Sequence, residues 1–157
     1  MVPEIKFYTS PVYESQLSEY SPQKPNRLSP EKFRGLVISI KQRKEQLQGY
    51  VKILTKLLKI NWNRKELEIW LINVHHQSFS HPTTISIVDE SGPRDVEEVL
   101  DIIIHELTHV MLGYHPLFAS GLEQLKEEFP TTTFTTRVHI LVHAVLARYY
   151  QTVRGEH

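Results

Sequence analysis

Between residues 29 and 58 the apolar side chains Phe33, Val37, Ile40, Leu47, Val51, Leu54 and Leu58 recur at steps of three, four or seven, interrupted by Lys44. That spacing draws one stripe along a helix of about eight turns. Ser29 can cap its start, Pro30 suits the first helical position, and Glu31 favours the positive end of the helix. The opposite face, KQRKEQ at 41–46, reads as solvated and the stripe as a core face. Gly35 and Gly49 weaken the helix locally, and a break is expected near Gly49.

Further along, Asn61-Trp62-Asn63 reads as a turn and residues 66–74 (ELEIWLINV) as a strand rich in β-formers. HHQSFSHP at 75–82 reads as a loop, and 83–88 (TTISIV) as a second strand, stopped by Asp89-Glu90-Ser91-Gly92-Pro93. Five of the nine prolines fall in the first thirty residues, so that segment is expected to be extended or irregular, with only 4–9 strand-like. From Asp95, the residues Val96, Val99, Leu100, Ile103, Leu107 and Val110 line one side of a helix that should stop near Gly113. A short helix over 118–129 and a final helix over 135–153 complete the chain. The expected class is therefore α+β: an extended N-terminal arm over 1–28, then one domain over 29–157 with a long backing helix and a two- or three-stranded sheet.

A length of 157 residues fits one domain, and 40% hydrophobic with 23% charged residues fits a folded globular chain. Lys+Arg and Asp+Glu are 18 each, so there is no net basic field to favour nucleic acid or an anionic membrane as partner. No apolar run approaches the length needed to span a bilayer, and MVPEIKFYTSP lacks the form of a secretion signal. A cytoplasmic location follows as the expectation. With no cysteine, a metal site must be built from His, Asp and Glu. Nine histidines are available, and His105, His109, His115, His139, His143 and His157 lie in the last third.

The helix that starts at Asp95 contains His105-Glu106-Leu107-Thr108-His109, the pattern H-E-x-x-H. Residues four apart share a helix face, so both imidazoles can bind one ion, while Glu106 stands beside the first as a proton acceptor for water. Apart from the motif the stretch from Ile102 to Tyr114 is uncharged. Satisfied histidines on a structural helix are the bland alternative, but an otherwise apolar face has little other use for two imidazoles and a carboxylate.

On these residues the sequence resembles the zincin metallopeptidases, whose signature of uncharged residues around H-E-x-x-H is met over 102–111. The likeness is strict over that helix and loose over the whole chain. There, the order of long helix, small sheet, active-site helix and final helix resembles the smallest gluzincins, the minigluzincins. The resemblance implies a zinc-dependent hydrolase of peptide bonds with one Zn2+ per chain, His105 and His109 as ligands and Glu106 as general base and acid. It also implies a peptide or protein substrate, paired to an edge strand that immediately precedes the active-site helix. A catalytically silent zincin-like domain, binding metal and acting as a regulatory or protein-interaction module, is the alternative.

A catalytic zinc keeps three protein ligands, so one more donor is needed. Gluzincins take a glutamate from a later helix; Glu128, with eighteen residues between it and His109, has such a separation but looks like an exposed helix end. Metzincins take a histidine six residues after the second, where His115 stands, yet their glycine should fall one residue before Gly113 and no methionine follows to make their Met-turn. The final helix offers His139 and His143 within the apolar stretch 138–146. Gluzincins space their glutamate ligand and an orienting aspartate by the same four residues. By that likeness His139 is the ligand and His143 a supporting or alternative one, with the roles interchangeable. Histidines in place of both acids depart from the family pattern, and no aspartate follows Asp101. For a developing oxyanion the available groups are His143, Tyr114 and His115, in that order. His75, His76 and His81 read as exposed loop histidines.

Overall fold

A computed structural model of the chain describes residues 2–19 and 27–154, so Pro22, Pro25 and His157 lie outside the described residues. The chain is α+β. Strand β1 (Glu4–Tyr8) is followed by helix α1 (Pro11–Glu19), where an irregular segment was expected. The start has the same logic as Ser29-Pro30: Ser10 Oγ accepts from the Tyr13 N–H at 3.2 Å, and Pro11 opens the helix. Its one buried side chain, Glu14, accepts from the Asn73 N–H at 3.1 Å, a tertiary contact that helical periodicity does not reveal.

The expected long backing helix is two helices, α2 (Pro30–Gln42) and α3 (Lys44–Leu57). They part at Arg43 rather than near Gly49. Arg43 turns its backbone to φ −87 and ψ 7, and its N–H bonds back to the Ile40 and Lys41 carbonyls. The break falls in the stripe's seven-residue gap between Ile40 and Leu47, where no apolar contact resists it, whereas Gly49 stays helical beside buried Tyr50.

Strands β2 (Glu66–Ile72), β3 (Phe79–Ser80) and β4 (Thr83–Ser86) join β1 in one four-stranded sheet of order β1-β2-β4-β3. The first three neighbours are parallel and β3 is antiparallel to β4. The sheet has four strands, because two residues of the expected loop at 75–82 pair as β3. The strand immediately before the H-E-x-x-H helix is also not an edge: β4 lies between β2 and β3.

Helix α4 (Val96–Gly113) starts where Asp95 accepts from the Glu98 N–H at 2.8 Å. Helices α5 (Phe118–Glu128) and α6 (Phe134–Arg154) follow. Ile5, Leu67, Ile69, Leu71, Ile85 and Ile87 from the sheet share one core with Val37, Ile40, Leu47, Val51 and Leu54 of α2 and α3 and with Val99, Leu100, Ile103 and Leu107 of α4. Each such side chain contributes about 1.5–3 kcal/mol by leaving water. That core fixes α4 on the structure. Helix α6 is not buried in the way its apolar stretch suggested: among its described residues only Val142 is fully buried, while Val145, Leu146 and Tyr149 are partly covered. Among the described residues no helix is long and apolar enough to cross a membrane.

Candidate metal centre

Ten of the eighteen residues of α4 are buried, and the helix turns His105 and His109, both half-buried, toward α6. Their Nε2 atoms are 3.2 Å apart. Two nitrogens each about 2.05 Å from one tetrahedral zinc would lie about 3.3 Å apart, so the pair already has the spacing of two ligands. The ring of His139 on α6 stands 5.4 Å from that of His105 and 4.9 Å from that of His109. One ring nitrogen from each of the three lies within 4.8 Å of the others. These three histidines can hold a metal ion.

The tautomer of His139 suits that role. Its Nδ1 is 2.9 Å from the Thr135 carbonyl, one turn back in α6, and must donate to it. The lone pair is then left on Nε2, as a ligating imidazole requires. In α4, burial lowers the His105 pKa, with smaller contributions from His139 and His143. Burial likewise brings His109 down to about 4, aided by His105, His139, His81 and His143. Both rings are therefore neutral near pH 7, the form that binds metal.

Glu106 is 8% exposed, and burial pushes its carboxyl up to about 7, opposed by His139. Among the described residues no hydrogen bond or ion pair offsets that burial. A carboxyl that titrates near neutrality and feels the charge of His139 is suited to both taking and returning a proton. Next to the histidine face of α4, Tyr50 Oη reaches the Ile104 carbonyl at 3.2 Å and the Thr108 hydroxyl, which itself donates to that carbonyl at 2.8 Å. Burial raises the Tyr50 pKa above its ordinary value, so the phenol stays protonated. This contact braces the helix between its two histidines, and the same ring meets Tyr149 of α6 edge-on at 4.7 Å.

His143 is exposed, its ring 5.7 Å from that of His105 and 6.3 Å from that of His139. It borders the surface groove formed by Thr133, Thr135, Thr136, His139 and Ile140. His115 lies past the end of α4, where its Nδ1 accepts from the Leu117 N–H at 3.2 Å, and Glu128 is exposed at the end of α5. Neither belongs to the three-histidine cluster. Tyr114 packs its ring 5.1 Å from Trp62 and under the Arg64 guanidinium. His76 bonds to the Gln77 carbonyl at 2.7 Å. His81, read from the sequence as an exposed loop residue, is exposed, but it comes near enough to His109 to oppose its protonation. Only tertiary structure joins those two positions, and the sequence carries no signal of it. No known family model matches the chain, and no curated protein or solved structure matches it.

Proposed function

We propose that the protein is a small zinc-dependent peptidase of the zincin kind, with His105, His109 and His139 as metal ligands and Glu106 as general base and acid. The observation that carries the reading is the convergence of three imidazoles from two helices, two of them kept neutral by burial, with the buried Glu106 carboxyl next to the first in sequence. Bound zinc would supply polarisation of the scissile carbonyl and acidification of a water. The chain's own residues do the rest. Glu106 accepts a proton from the attacking water and returns it to the leaving amine, a role worth about 10²–10⁴ in rate. The Thr135 carbonyl accepts from His139 Nδ1, which leaves the Nε2 lone pair free for an ion. Tyr50 and the core hold His105 and His109 in register. His143, on the same helix and close to His105, is the nearest remaining donor for an oxyanion. Three neutral ligands leave the full double charge of the ion to act on substrate.

Glu106→Gln separates chemistry from metal binding. Zinc-loaded variant and wild type are compared on a quenched-fluorescence peptide library, with zinc content measured in parallel. The expected result is one zinc per chain in both and hydrolysis at least about a hundredfold lower in the variant. Equal hydrolysis would remove Glu106 from the mechanism. Zinc without turnover in the wild type would instead identify a silent metal-binding module.

A further inference from the structure

A cleft of about 470 Å³ is lined by Arg64, Glu66, Glu68, the hairpin residues 80–83 and Val110, the residue that follows His109 in α4. It exists because the sheet is incomplete there. Glu4 N–H donates to the Lys65 carbonyl at 2.8 Å, so odd-numbered residues of β2 turn their backbone groups to β1 and even-numbered ones turn theirs toward β4. The Ile87 N–H donating to the Ile72 carbonyl follows the same parity. Yet β4 pairs with β2 only from Trp70 onward, and opposite Glu68 the chain has already turned at His81-Pro82. The Glu66 N–H and C=O and the Glu68 N–H therefore face the cleft with no strand beside them.

The two carboxylates at this opening have no direct partner, and Glu66 is felt by Lys6 only through space. Glu4 takes up both Lys6, at 2.9 Å, and Lys44, at 2.5 Å. The Arg64 guanidinium lies over the Tyr114 ring, 5.1 Å from its centroid. Among the described residues neither Glu66 nor Glu68 has an ion pair or a side-chain hydrogen bond. We infer that this cleft takes an extended segment of the substrate peptide, paired as an added strand to the open half of β2, with a lysine or arginine side chain set between Glu66 and Glu68. Unpaired strand-edge groups recognise extended backbone, and two carboxylates select a cation over an anion. The inference rests on the peptidase reading and adds to it a substrate class, a chain with a basic residue near the scissile bond.

The test uses the full-length, zinc-loaded Glu106→Gln protein, which leaves peptides intact, and fluorescence anisotropy. The probes are fluorescein-labelled decapeptides of alanine, valine and leucine with one central arginine, or glutamate in its place. The arginine peptide should bind about tenfold more tightly, and adding Glu66→Gln with Glu68→Gln should abolish the difference. Both glutamates are exposed, so an unchanged melting temperature should accompany that loss. N-methylation of alternate amides in the arginine peptide should weaken binding to the unmodified cleft about tenfold. Equal affinities, no binding of either peptide, or a preference that survives the double substitution would overturn the inference. Arginine-selective binding, with neither peptide cleaved by the wild type, would uphold the cleft and overturn the peptidase reading. Cleavage of both with equal affinity would do the reverse.

Discussion

Helices α4 and α6 each carry two histidines four residues apart, and they hold them in opposite ways. In α4 the pair is set by ten buried neighbours, by the Tyr50 hydrogen bonds and by the Asp95 cap, and its nitrogens already stand 3.2 Å apart. In α6 the support is thinner: Val142 is buried, Val145, Leu146 and Tyr149 are half covered, and His139 is oriented by a carbonyl of its own helix. A bidentate pair on a rigid helix is preorganised, and a third ligand on a lightly docked helix is recruited. Metal shared between them would thus act as a clasp of α6 on α4.

Breaking the rigid half should have the largest effect. His109→Ala should lower zinc affinity by more than about a hundredfold and remove hydrolysis, read by competition with a chromogenic chelator and by peptide cleavage. The fold should survive, since His109 is only half-buried. Zinc itself should sharpen the contrast. At about a hundred times its dissociation constant it should stabilise the protein by about 2.7 kcal/mol, a melting shift of about 5–10 °C for a chain of this size. Hydrogen exchange should slow most in α6, which has the most to gain. An equal change in both helices would refute the clasp.

Tyr50→Phe removes a buried hydroxyl that serves the Ile104 carbonyl and Thr108, and should cost about 1–2 kcal/mol in urea unfolding with a smaller loss in zinc affinity. The smallest effect is in metal-free protein as pH falls. His109, neutral in the fold down to about 4, takes up a proton on unfolding below about 6.5. Stability from this source is therefore complete above about 6.5 and declines as pH drops toward 4. The His109→Ala variant should show a shallower decline over that window.

How far the sequence reached can be traced in the same two helices. Apolar periodicity and Gly113 made α4 legible, and the four-residue spacing carried His105 and His109 to one face. The choice between His139 and His143 was not legible from spacing, because both lie on one face of α6. The crossing of α6 over α4 brings the His139 ring to 4.9 Å from His109 and leaves His143 exposed. The break at Arg43 lay in a gap of the stripe, a weaker mark than a glycine. Strand β3, at two residues, is too short to show alternation, and the inner position of β4 depends on that pairing. Helix α1 has little apolar pattern; its cap and proline were the available signs.

The most direct test of the clasp is zinc stoichiometry by native mass spectrometry on wild type, His139→Ala and His143→Ala, each purified without added metal and then titrated. One zinc per chain in wild type and in His143→Ala, with binding weakened more than about a hundredfold in His139→Ala, is the predicted result. No zinc in the wild type, or undiminished binding in His139→Ala, would contradict a centre built across α4 and α6.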